Sequence, residues 1–116
     1  MTGAIKPRDR KPSRSRERNE TVARTNAATL ADGGTAVFAC ECGDDSCTSG
    51  VCLTGNQYER VRGLASQFLI RRDHENPESE WVVFEDDAWA IVVAVGRDAV
   101  MAARSTDPRA VGQRGG

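Results

Sequence analysis

One tyrosine, three phenylalanines and two tryptophans leave this 116-residue chain poor in large rings. Its core must therefore come mostly from Val, Ala, Leu and Ile, and a core of that size is marginal by area alone. Long apolar runs are also missing. The best one, Ala88–Val95, is the length of a strand and excludes a membrane-spanning helix of ordinary length. The start, Met-Thr-Gly-Ala-Ile-Lys-Pro-Arg, has no hydrophobic segment, so export is not expected and the cytoplasm is the default compartment. No glycine-rich phosphate loop and no nucleophile with an adjacent base can be found, which removes the common enzymatic signatures. Lysine is nearly absent, with arginine dominating the basic set.

A near-neutral total charge hides an asymmetry. Residues 1–20 carry seven basic side chains against three acidic ones, leaving nine basic and fourteen acidic groups for the remainder. An acidic folded part does not suit a surface that grips nucleic acid. The arm itself, through Arg8, Arg10, Lys11, Arg14, Arg16 and Arg18, can touch phosphates weakly and without sequence choice. Its composition, broken by Pro7 and Pro12, reads over residues 1–16 as a disordered basic tail.

What is present in excess is local. All four cysteines, Cys40, Cys42, Cys47 and Cys52, fall within thirteen residues. Crowded thiolates need a positive partner or oxidation, and a zinc ion about 2.3 Å from each sulfur supplies the first. Where export is not expected, metal is favoured over a disulfide framework, and the spacing matches no ferredoxin pattern. Two ligand sets remain open on these residues. One is the four cysteines; the other replaces Cys52 with His74, the chain's single histidine, which would tie the two halves of the chain together.

Periodicity supplies the frame. Val22, Ala23, Ala27, Leu30 and Ala31 form a thin apolar stripe, predicting a helix over 17–32 that stops at Gly33-Gly34. Thr35–Cys42 reads as a strand with Phe38, Cys40 and Cys42 on one face. Gly43–Ser46 is a turn, with Ser46, Thr48 and Ser49 as turn residues. Val51 and Leu53 share one face of a very short strand, with Cys52 on the other. Thr54 and Gln57 match a capping box opening a helix over about 55–66 that buries Tyr58, Val61, Leu64 and Ala65. A short apolar run, Phe68–Ile70, precedes a loop over Arg71–Pro77. Trp81–Glu85 and Trp89–Val95 flank Asp86-Asp87 as a hairpin, with both tryptophans assigned to the core. Asp98–Arg104 is a last helix capped by Asp98 or a near neighbour. The expected fold is α+β: one domain over 17–108 with a small antiparallel sheet, two or three helices and a zinc-knob-like cysteine loop. Residues 109–116 are expected to be a flexible tail.

Together, Phe38-Ala39-Cys40-Glu41-Cys42-Gly43-Asp44, Cys47, Leu53-Thr54, Tyr58-Glu59-Arg60-Val61-Arg62, Phe68-Leu69-Ile70, His74-Glu75 and Asp107-Pro108-Arg109 resemble a family of small, uncharacterised proteins frequent in actinobacteria. The resemblance covers roughly residues 17–109 and brings no activity with it. It implies a site of Cys40, Cys42, Cys47 and His74, because the position of Cys52 usually holds another residue. The family usually carries Pro-Gly before the histidine, where this chain has Arg72-Asp73.

The functional expectation is a non-enzymatic zinc-binding protein acting as a protein-interaction or regulatory module with an unidentified protein partner. Glu41 and Glu75 adjoin proposed ligands as a catalytic base would, but the deaminase signature is missing and three thiolates make zinc a poor Lewis acid. Both glutamates are expected on a solvated rim. The alternatives are a thiol-redox switch with Cys52 as resolving thiol, and weak nucleic-acid binding through the arm.

Overall fold

A computed structural model describes residues 12–44 and 46–109. The elements run α1 (Pro12–Thr25), α2 (Ala27–Ala31), β1 (Thr35–Ala39), β2 (Gly50–Thr54), α3 (Gly55–Val61), β3 (Gln67–Arg71), β4 (Glu80–Glu85), β5 (Trp89–Ala94) and α4 (Arg97–Ser105). This is an α+β fold with two antiparallel sheets, a hairpin of β1 and β2 and a three-stranded sheet in the order β3-β5-β4. No helix among the described residues is long and apolar enough to cross a membrane.

The first helix departs from expectation. It begins at Pro12, a residue preorganised for a first helical position, so residues 12–16 are helical rather than disordered. Residues 1–11 lie outside the described part. Among the described side chains of α1, the buried ones are Arg16 and Asn19, with Val22 and Ala23 only half-buried. Its inner face is polar, which an apolar stripe cannot reveal. The chain turns at Asn26, and Gly33, at φ +89°, closes α2 in the left-handed region.

The β1–β2 hairpin pairs Ala36 with Leu53 and Phe38 with Val51 on its buried side. Val37 pairs with Cys52 on the exposed side. The Thr54 capping box forms as predicted: its hydroxyl accepts from the Gln57 amide at 3.2 Å, and Gln57 Oε1 accepts from the Thr54 amide at 2.9 Å. Helix α3 then ends earlier than expected, at Val61. Gln67 Nε2 donates to the carbonyls of Arg60 and Val61 at 3.0 and 2.9 Å, closing the helix end. Beyond that stop Leu64 is 57% exposed, not buried.

The Phe68–Ile70 run is strand β3, and β5 sits between β3 and β4. Both faces of β3 and β5 are covered, which explains their uninterrupted apolar sequences. One face, with Leu69, Trp89 and Ile91, meets Phe38, Leu53, Tyr58 and Val61, and the Phe38 and Tyr58 rings stack at 4.3 Å. The opposite face, with Phe68, Ile70, Ala90, Val92 and Ala94, meets Ala103 of α4 and Cys40 and Cys42. Trp89 is 6% exposed, but Trp81 is 66% exposed on edge strand β4, so only one tryptophan is core. Helix α4 opens at Gly96 with no side-chain cap, and Asp98 lies inside its first turn.

Candidate metal centre

Strand β1 delivers its chain end to the foot of β3. Glu41 N–H donates to the Leu69 carbonyl at 2.6 Å and Arg71 N–H donates to Cys40 Sγ at 3.2 Å. Gly43, at φ +81°, turns the chain away. Asp44 Oδ1 then accepts from the amide and hydroxyl of Ser46 at 2.9 and 2.7 Å, while Cys47 N–H donates to the Asp44 carbonyl at 3.0 Å. This turn brings Cys47 back. After β3, His74 N–H donates to the Arg71 carbonyl at 3.0 Å, closing a tight turn that returns the imidazole toward Cys40.

The result is a convergence of four candidate ligands, three thiols and one imidazole, from two distant stretches of chain. One ligand atom each from Cys40, Cys42, Cys47 and His74 lies within 4.8 Å of the other three, close enough to share a metal ion. His74 Nδ1 is 3.6 Å from both Cys40 Sγ and Cys47 Sγ. Cys40 and Cys42 are buried, and Cys47 and His74 half-buried.

The thiols are electronically unequal. The Cys40 and Cys42 side chains are hydrogen-bonded to each other. That hydrogen bond, then burial, holds Cys40 well above the ordinary thiol value. The same bond brings Cys42 down to about 5 against the opposing effect of burial, with help from the Asp44 amide, Cys47 and His74. A thiolate at neutral pH is the form that ligates metal.

Cys52 is not part of this group. It is exposed on the outer side of β2, opposite Val37, with its sulfur 3.5 Å from the Thr35 hydroxyl. Strand alternation is the reason: with Val51 and Leu53 turned inward, Cys52 must face out. It lies outside the group of side chains whose ligand atoms converge.

The glutamates differ from the expected rim as well. Glu41, between two ligands, is 0% exposed. Its Oε1 accepts from Arg62 Nη2 at 2.6 Å and from the Leu69 amide at 2.8 Å, and Oε2 accepts from Asn19 Nδ2 at 2.8 Å. Both oxygens of that carboxylate are occupied by protein donors. Glu75 is half-buried rather than on a solvated rim.

Within the basic arm, Arg16 is 1% exposed and committed to the carbonyls of Ala65 and Ala103 and the hydroxyl of Thr106. It is unavailable to phosphates. Arg14 and Arg18 are exposed, and Arg8, Arg10 and Lys11 lie outside the described residues. Arg109, assigned to a flexible tail, instead forms a paired contact with Glu59 at 2.8 Å and reaches Glu20 at 2.9 Å. Residues 110–116 lie outside the described part.

Reading the sequence for apolar spacing missed Asn19 and Arg62, the two residues that hold Glu41. The available signal was that Arg16, Asn19 and Ala23 share one helical face that continues the weak stripe toward the N-terminus. No protein-family model, curated protein or solved structure matches the chain.

Proposed function

We propose that the chain is a small zinc-binding protein in which the ion is structural and the folded unit acts by docking to another protein. The convergence of Cys40, Cys42, Cys47 and His74 carries this reading. A tetrahedral zinc with sulfur at about 2.3 Å and nitrogen at about 2.0–2.1 Å sets each sulfur–nitrogen edge at roughly 3.5–3.6 Å. Both edges to His74 Nδ1 are 3.6 Å. Three thiolates and one imidazole are a soft ligand set that suits zinc rather than magnesium or calcium. Four protein ligands also complete the zinc shell and leave no position for substrate, which supports a structural rather than a catalytic ion. A neutral interior location for such thiols is the reducing cytoplasm. The same ligand set is the one implied by the actinobacterial family that the chain resembles.

The test is metal content by mass spectrometry on untagged protein purified without chelator. One zinc per chain is expected in the wild type and in Cys52→Ser, with loss in His74→Ala. Zinc retained in His74→Ala but lost in Cys52→Ser would overturn the ligand set, and no metal in any sample would overturn the zinc reading.

A further inference from the structure

Helix α1 is bolted to the metal loop. Among its described side chains, over residues 14–25, no apolar one is fully buried, and the buried ones are Arg16 and Asn19. Asn19 clasps the residue just before Cys40, accepting from the Ala39 amide at 2.7 Å and donating to the Ala39 carbonyl at 2.9 Å. The same Nδ2 donates to Glu41 at 2.8 Å. Arg62, from the turn after α3, holds the other carboxylate oxygen, and its side chain is 3% exposed. Strand β1 has already ended at Ala39, so it is the anchoring of Ala39 and Glu41, the two residues that flank Cys40, that limits where Cys40 and Cys42 can point.

A buried ion pair of this kind is seldom more stabilising than apolar packing of the same volume. Among the described residues, Arg62 Nη1 has no hydrogen-bond partner, so the pair is not optimised for stability. What it supplies is orientation. Loss of the outer contacts that orient metal ligands typically weakens affinity by about 10–100-fold, and here those contacts fall on Ala39 and Glu41, the residues adjoining Cys40 and Cys42.

We propose that Asn19, Glu41 and Arg62 are positioning residues for the metal centre, so that metal occupancy and docking of α1 form one linked equilibrium. The inference rests on the zinc reading of Cys40, Cys42, Cys47 and His74. Linkage makes the coupling reciprocal: the factor by which docked α1 tightens metal binding is the factor by which bound metal favours docking. Loss of the ion would then release the helix together with Arg16, whose guanidinium leaves Ala65, Ala103 and Thr106 when α1 lifts.

Two readouts on the full chain test this. Zinc affinity, by competition with a chromophoric chelator, is expected to fall on the order of tenfold or more in Asn19→Ala. Asn19→Asp keeps the shape but sets a second carboxylate against Glu41, and is expected to fall further. Ile91→Ala, in the opposite core, is the control for general destabilisation and should change affinity less than about threefold. Equal losses in Asn19→Ala and Ile91→Ala would overturn the coupling. In the second readout, trypsin is added to zinc-loaded and chelated wild type and the cuts are mapped by mass. Cutting after Arg16 only on chelation, with Arg62 spared, is the expected pattern. Simultaneous cutting after both means general unfolding, and an unchanged Arg16 means no release; either result overturns the proposal. Wild type that takes up no zinc removes the metal reading itself, whereas loaded protein with unshifted Asn19 variants removes only the coupling.

Discussion

Strands β3 and β5 are buried on two faces, and these are packed by different means. On one, Phe38, Leu53, Tyr58, Val61, Leu69, Trp89 and Ile91 fill the space with large side chains and stacked rings. On the other, Ala90, Ala94 and Ala103 accompany Phe68, Ile70 and Val92, and the edge is completed by Cys40 and Cys42. Burying an apolar side chain is worth about 25 cal/mol per Å², so the first face can hold by area. The second, built largely of small residues, has less to gain from area, and it is the face that carries side chains able to hold a metal ion. A small chain poor in aromatic residues has thus concentrated its rings on one side and its ligands on the other.

The strongest way to sharpen that contrast is to damage the apolar face alone. Phe38→Ala removes a fully buried ring stacked on Tyr58. It is expected to cost about 3–5 kcal/mol and to lower the melting temperature by at least about 12 °C. Zinc per chain at saturation should stay unchanged, because none of the four ligands belongs to that face. Melting curves and metal content on the same sample decide it. Loss of zinc stoichiometry in folded Phe38→Ala would mean that the two faces are not separable.

A smaller effect probes the polar clip over the apolar face. Arg109 joins Glu20 and Glu59, and Glu20 also accepts from the Tyr58 hydroxyl at 2.6 Å. For Glu20, burial raises the carboxyl but the hydrogen bonds from Arg109 and Tyr58 outweigh it, leaving it below the ordinary range. Glu59 is lowered first by Arg109. A carboxylate whose folded pKa is depressed adds stability above its unfolded value, about 4.3 for Glu, and loses it as pH falls through the folded value. Arg109→Ala should therefore cost roughly 1 kcal/mol at pH 7. The gap from wild type should shrink once the pH drops under about 4. Comparing the two proteins at each pH cancels the acid sensitivity of the thiolates. A gap that does not change with pH would show that Arg109 acts by packing on Tyr58 rather than by charge.

Short-range signals were legible in the chain and long-range ones were not. The Thr54 capping box, the Asp86-Asp87 hairpin and the Gly33 stop each depend on residues within a few positions, and each formed as read. The three ligand cysteines could be proposed from spacing, but His74 reaches them only because β3 ends beside β1, a contact sealed by Arg71 N–H on Cys40 Sγ. Buried polar residues were the systematic failure. Glu41 looked like rim, and Arg16 looked like tail, because the partners that make their burial tolerable lie twenty to ninety positions away. Trp81 failed for the opposite reason. Its strand was read correctly, but nothing local tells an edge strand from a central one, and β5 rather than β4 took the middle.

The finest test concerns the turn that delivers His74 to the second face. Asp73 is the one non-glycine among the described residues with a positive φ, +72°. That conformation costs an ordinary side chain roughly 1–2 kcal/mol, and aspartate somewhat less because its short polar group bonds locally. Glycine removes the strain but adds about 0.5–1 kcal/mol of unfolded-state entropy. The two terms nearly cancel, so Asp73→Gly should stabilise the protein by about 0.5 kcal/mol and raise the melting temperature by roughly 2–4 °C. The companion change, Arg72→Pro, should not help, since the Arg72 amide donates to the Ala88 carbonyl at 3.0 Å and proline has no N–H to give. Only half of the Pro-Gly dipeptide is therefore compatible with this backbone. If Asp73→Gly lowers the melting temperature and weakens zinc binding, the aspartate side chain itself holds the turn, and the face with the candidate ligands depends on one more polar contact than those four side chains reveal.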